Sequence, residues 1–153
     1  MKNRYEQFST VISGIYRCIS KIERTEMEKL GYKGSYAQYL VTLLKNENGV
    51  TSTALGEICD KDKAAISRTV SEMEEAGLIT RVSVSEASRN YRARLVLTEK
   101  GKKIADMVQK KSQEVVEDIG RSLSDYERTV VYDVLDRLYL NLKYISRKIK
   151  SDF

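Results

Sequence analysis

The chain has 153 residues, 32% charged and 41% hydrophobic, with a formal net charge of +5, a composition that suits one globular domain with its own core and excludes a disordered or collagen-like chain. It contains no His, no Pro and no Trp, which excludes imidazole-based catalysis and His-ligated metal and favours long uninterrupted helices. The mild basic excess points to a polyanionic partner but does not establish one. Cys18 and Cys59 form no CxxC pair and read as reduced, buried thiols. The stretch from Gln7 to Tyr16 is too polar for a secretory core, and no uncharged run is long enough for a membrane span. A cytoplasmic protein without membrane contact is therefore expected.

In the first segment Tyr5, Phe8, Val11, Ile12, Ile15, Ile19 and Ile22 recur at helical steps, which predicts an amphipathic helix over about 4–29, ended near Gly31 and Gly34. Ser35-Tyr-Ala-Gln38 has capping-box spacing and opens a helix through Leu44, with Tyr39, Leu40, Leu43 and Leu44 as core candidates. After the turn Asn46-Glu-Asn-Gly49, Thr51 or Ser52 caps a short helix carrying Leu55 and Ile58. Asp60 or Asp62 caps the next, over about 62–76, with Ile66, Val70 and Met73 on one face and Gly77 at its end. The period then changes to two. Leu78 to Val84, with Val82 and Val84 on one face, and Arg92 to Leu97 flank the polar tip Ser85–Asn90 and read as a β-hairpin. Thr98 caps a long helix that breaks at Gly120. Ser124-Asp-Tyr-Glu127 is a second capping box, opening a helix to about Lys150 with the apolar row Val130, Val134, Leu138, Leu142, Ile145 and Ile149.

No nucleophile with a base, metal-ligand cluster or Gly-rich phosphate loop stands out, so the reading is binding rather than catalysis, with no cofactor. Helix, short turn, helix and hairpin between Thr51 and Thr98 is the order of a winged helix-turn-helix. Behind Ile66, Val70 and Met73 the second helix has a front of Lys63, Ala64, Ala65, Ser67, Arg68 and Thr69, small or hydrogen-bonding residues able to approach base edges. Thr51, Ser52 and Lys61 flank this pair of helices as further DNA-contact candidates. The hairpin carries Arg81, Arg89, Arg92 and Arg94 against Glu86 alone across 80–94, which suits phosphates or a narrow minor groove. Edge-strand charges that prevent sheet pairing are the plain alternative.

Leu55-Gly-Glu-Ile-Cys59, Asp62-Lys-Ala-Ala-Ile-Ser-Arg-Thr-Val70, Glu74-Glu-Ala-Gly-Leu-Ile79 and Leu97-Thr-Glu-Lys-Gly101 together resemble the MarR family of bacterial and archaeal transcriptional regulators, by motif over about 35–105 and by element order over the whole chain. The resemblance implies a mainly α fold with a small β-hairpin wing, a winged helix-turn-helix with N- and C-terminal dimerisation helices. Residues 1–153 then form one domain, with 35–104 as DNA-binding lobe and 1–34 and 105–153 as dimerisation helices. Ser67 and Arg68 match the family's Ser-Arg pair, Lys63 its basic helix start, and Arg89 its wing-tip arginine. The family's acid two residues before that arginine is replaced by Ala87, with Glu86 adjacent, which leaves Arg89 and Arg92 as competing groove contacts.

The apolar rows of the first and last helices exceed what a small winged-helix core needs. Pairing them between two chains would set two reading helices about 34 Å apart, one DNA turn. The implied function is a homodimeric regulator, repressor or activator and read as a repressor, on a palindromic operator in double-stranded DNA. The resemblance further implies release by a small aromatic or phenolic effector, for which Tyr16, Tyr32, Tyr36 and Tyr39 are candidates. Core and interface packing is the plainer role for them. Tyr36-Ala-Gln-Tyr39 is also similar to the family's hydroperoxide sensors, although their reactive cysteine would fall near Ser9 to Val11 rather than at Cys18. Redox regulation through Cys18, and a winged helix that serves protein assembly, remain as alternatives.

Overall fold

The computed structural model describes residues 3–83 and 93–151. In chain order it contains α1 (Arg4–Lys29), a 3-10 turn (Gly34–Tyr36), α2 (Ala37–Leu44), α3 (Ser52–Ile58), α4 (Lys63–Glu75), β1 (Ile79–Val82), β2 (Arg94–Leu97), α5 (Glu99–Ile119), a second 3-10 turn (Gly120–Ser122) and α6 (Asp125–Ser151). This is the expected mainly α winged helix-turn-helix order. Val84, the tip from Ser85 to Asn90, and Arg92 lie outside the described residues. The chain divides into two compact units, Met1–Gln113 and Glu114–Phe153. No helix among the described residues is long and apolar enough to cross a membrane.

Local chemistry sets most helix ends. Thr51 Oγ1 accepts from the Ala54 N–H at 3.1 Å and Asp62 Oδ1 from the Ala65 N–H at 2.8 Å, which settles both open choices of cap. Such caps contribute about 1 kcal/mol each. α4 ends at Gly77 with φ of 72°, and the Leu78 N–H returns to the Met73 carbonyl at 3.0 Å. The capping box at α6 forms in both directions. Glu127 Oε2 accepts from the Ser124 N–H at 2.8 Å, and Ser124 Oγ accepts from the Glu127 N–H at 3.3 Å. The box expected at Ser35 does not form. Ser35 lies inside the 3-10 turn, Tyr36 precedes α2 without a side-chain cap, and Gln38 Nε2 donates instead to the Cys59 carbonyl at 3.1 Å. A tertiary contact to the end of α3 has displaced the local one.

The core of the first unit gathers Met27 of α1, Leu40 and Leu43 of α2, Leu55 of α3, Ile66, Val70 and Met73 of α4, Leu95 of β2, and Ala105 and Val108 of α5. Burying a side chain of this kind contributes roughly 1.5–3 kcal/mol. Two apolar positions do not join it. Ile58 is 57% exposed because α3 packs through Leu55 and Gly56, and Ile58 stands about 200° round the helix from Gly56. Val82 is 50% exposed, while the adjacent Leu78 and Ile79 are both buried. The chain leaves the core after Ile79, and β1 runs outward with no inward alternation.

β1 and β2 pair antiparallel, with Ile79 opposite Leu97 and Val82 opposite Arg94. Val50 adds a bridge to Leu95, exchanging two hydrogen bonds of 3.2 and 2.8 Å. The hairpin is joined to α5 through Thr98, whose hydroxyl donates to the Gly77 carbonyl at 2.6 Å and accepts from the Gly101 N–H at 3.0 Å. A Cβ at Gly101 would fall on the Leu78 carbonyl oxygen. Thr98 and Gly101 therefore dock the start of α5 onto the end of α4.

Candidate nucleic-acid interface

α4 is a 13-residue helix held from behind by Ile66, Val70 and Met73, which are at most 3% exposed. Its other side presents Lys63, Ala64, Ser67 and Arg68 to solvent, with Ala65 and Thr69 half-buried at the edges. No aromatic or branched aliphatic side chain stands on this front, so a groove floor could approach it closely. Lys61 is exposed in the turn before it, and Ser52 is half-exposed at the start of α3. Thr51 is half-buried and occupied as the α3 cap. These candidates from α3, α4 and their turn do fall within one helix-turn-helix.

The hairpin arginines divide into two groups. Arg81 makes a two-point ion pair with Glu74 of α4, at 2.9 Å from Nε to Oε1 and 3.3 Å from Nη2 to Oε2. Arg94 donates from Nη1 to the Gly49 carbonyl at 3.1 Å. Both thus fasten the base of the hairpin, one to α4 and one to the turn before α3. Arg89 and Arg92, with Glu86 and Ala87, lie outside the described residues.

Sequence reasoning missed a polar network beside α4. Glu72 Oε2 accepts from Lys33 Nζ at 2.8 Å and from the Tyr36 hydroxyl at 2.9 Å. These donors, Lys33 first, hold the Glu72 carboxyl below the usual carboxylate range. Burial, then the hydrogen bond to Glu72 and its charge, push the Tyr36 phenol up to about 12. Lys100 of α5 donates to the Ala76 carbonyl at 2.9 Å, placing a cation at the C-terminal end of α4, and its Nζ lies 5.7 Å from the centroid of the Tyr32 ring. Lys33 and Glu72 are 39 positions apart, and no local spacing signals the pair.

The four tyrosines do not converge on one pocket. Tyr36 is committed to Glu72 and Tyr39 is in the core, where burial raises its phenol against a side-chain hydrogen bond with Thr69. Tyr32 faces Lys100. Tyr16 lines a groove of about 180 Å³ with Ser20, Glu23 and Arg24 of α1, and with Gly34, Ser35, Ala37 and Gln38. Glu23 in this groove has its carboxyl raised, with burial outweighing the charge of Lys45 and a hydrogen bond with Ser112. Cys18 is exposed rather than buried, and Cys59 is half-buried with its Sγ 3.9 Å from Thr42 Oγ1. The expected packing of Cys18 fails because the N-terminal part of α1 has little of its own chain against it, with Val11, Ile15 and Tyr16 about half exposed or more. Among the described residues no group of three His, Cys, Asp or Glu could hold a metal ion.

Residues 30–89 match the family model described as MarR family. A Thauera aromatica protein described as a transcriptional regulatory protein for the hcr operon is 29% identical over 100 residues, covering 65% of this chain and 59% of that protein, under two thirds of its length. The HTH-type transcriptional regulator YybA of Bacillus subtilis (strain 168), itself uncharacterized, is 23% identical over 146 residues, covering 93% of this chain and 95% of that one. A MarR transcriptional regulator from Methanosarcina mazei Go1 superposes with a TM-score of 0.77 at 23% identity, over 95% of this chain and 94% of that one. A MarR-family regulator from Listeria monocytogenes, solved with a 26mer DNA, gives 0.72 at 22% identity over 93% and 90%. These two superpositions are likenesses of fold. With the family match across residues 30–89 and the same winged-helix fold in the solved structures, the chain is similar to the MarR family of transcriptional regulators over its helix-turn-helix.

Proposed function

We propose that this chain acts as a homodimer, binding a palindromic operator in double-stranded DNA and repressing transcription by occupying it. One observation carries the reading. α4 is pinned by its apolar back while Lys63, Ala64, Ser67 and Arg68 face solvent, the geometry of a helix that enters a major groove. Residues 35–104 serve as the DNA-binding lobe, and 1–34 and 105–153 supply the dimerisation helices. Exposed apolar residues support that division. Phe8, Val11, Ile12 and Ile15 on α1, and the whole predicted row on α6 at 36–57% exposure, are left about half exposed in the single chain. Such rows are costly in water at roughly 25 cal/mol per Å². Two copies so joined would place their α4 helices about 34 Å apart.

The groove beside Tyr16 and Arg24 supports a single-ring aromatic or phenolic anion as effector, acting by a shift between dimer geometries. Oxidation is the second trigger, supported by the exposed thiol of Cys18. Selection of duplexes from a randomised pool, followed by titration at several salt concentrations, tests the DNA reading. A palindromic consensus bound about 10³-fold or more tighter than a scrambled duplex supports it. Equal affinity for both duplexes would favour a protein-assembly role instead.

A further inference from the structure

Arg68 and Glu72 stand four residues apart on α4, neighbours on the helix surface where opposite charges ordinarily pair. Their charges do sense one another, since Arg68 is among the groups that lower the Glu72 carboxyl. Even so, Arg68 makes no ion pair with Glu72, whose Oε2 is taken by Lys33 and Tyr36 at 2.8 and 2.9 Å. These two donors bracket the 3-10 turn Gly34–Tyr36, and α1 fixes that turn. A Cβ at Gly34 would come within 2.7 Å of Glu28 Oε1 and 3.2 Å of Arg24 Cβ, and Tyr36 is only 6% exposed.

We propose that Lys33 and Tyr36 are positioning residues for DNA binding: they hold the Glu72 carboxylate away from Arg68, leaving the guanidinium free for the operator. Loss of either donor lets the carboxylate swing one turn along α4, pair with Arg68 and bring negative charge to the DNA-facing front. Operator affinity then depends on two residues that touch no DNA and are placed by the C-terminal end of α1. The inference rests on the reading of α4 as the DNA-contacting helix.

A set of mutants of the full chain tests it, titrated against the duplex that the wild-type protein enriches from a randomised pool. Lys33→Gln with Tyr36→Phe is expected to weaken binding about tenfold, and adding Glu72→Gln to recover most of that loss. Glu72→Gln alone, which keeps its hydrogen bonds, is expected to change affinity about threefold or less. In an Arg68→Ala background the Lys33→Gln/Tyr36→Phe pair is expected to have no further effect, whereas a general distortion of the fold would still weaken binding there. Strictly additive effects, or a pair that leaves wild-type affinity unchanged, would overturn the gate while leaving α4 as the reading helix. Failure of the wild-type chain to enrich any duplex overturns the reading of α4 and the gate with it.

Discussion

Gly101 has no room for a side chain, because its Cα faces the Leu78 carbonyl where the hairpin and α5 meet. Gly101→Ala must push α5 off the end of α4, and a loss of about 3 kcal/mol in chemical denaturation is expected. The sequence displays Thr98 and Gly101 as a spaced pair, but the carbonyl that makes the glycine necessary lies 23 positions back and carries no local signal. The same holds for Lys33 with Glu72 and for Arg81 with Glu74. Arg81 was legible only as part of a basic wing, and its partner on α4 appears once the hairpin folds against that helix. Arg68, in contrast, is legible as a front-face residue from helical spacing alone, because Ile66, Val70 and Met73 fix which side is the back.

Helix ends show where local chemistry decides and where it is overruled. At α6 the box of Ser124 and Glu127 forms without competition, and the Ser124 N–H, then its hydroxyl, hold the Glu127 carboxyl below the usual carboxylate range. A carboxyl lowered on folding stabilises the helix at pH values above its unfolded pKa, and that contribution disappears as pH falls through the lowered value. Helicity of the wild-type chain should therefore fall more between about pH 5 and 3 than that of Glu127→Gln, which keeps the geometry without the titrating charge. Circular dichroism across that range checks it, and parallel curves would contradict it. At α2 the equally well-spaced Ser35 and Gln38 do something else, since Gln38 is drawn to the Cys59 carbonyl. Spacing cannot distinguish the two cases, because the competitor comes from another helix.

On the scale of the whole molecule, the order of helices and strands was legible among the described residues, while the cover of the terminal helices was not. Periodicity says that α1 and α6 each have an apolar row, but it does not say what covers it. In the single chain much of each row is left exposed, and Cys18 is exposed with them. If these rows pair two copies, sedimentation should show wild type as dimer and Val134→Glu/Leu138→Glu as monomer at micromolar concentrations, with a fall in operator affinity because each α4 then binds half a site alone. An unaltered dimer would place the interface elsewhere.

The most direct measurement is the affinity of wild type and Arg68→Ala for the enriched duplex and for single base-pair substitutions at each position of one half-site. If α4 reads the major groove through Arg68, wild type discriminates at one or two positions by about 1–3 kcal/mol per base pair, and Arg68→Ala loses discrimination there while keeping it elsewhere. A uniform loss at every position would reduce Arg68 to a phosphate contact. An unchanged profile would contradict the assignment of α4 as the reading helix.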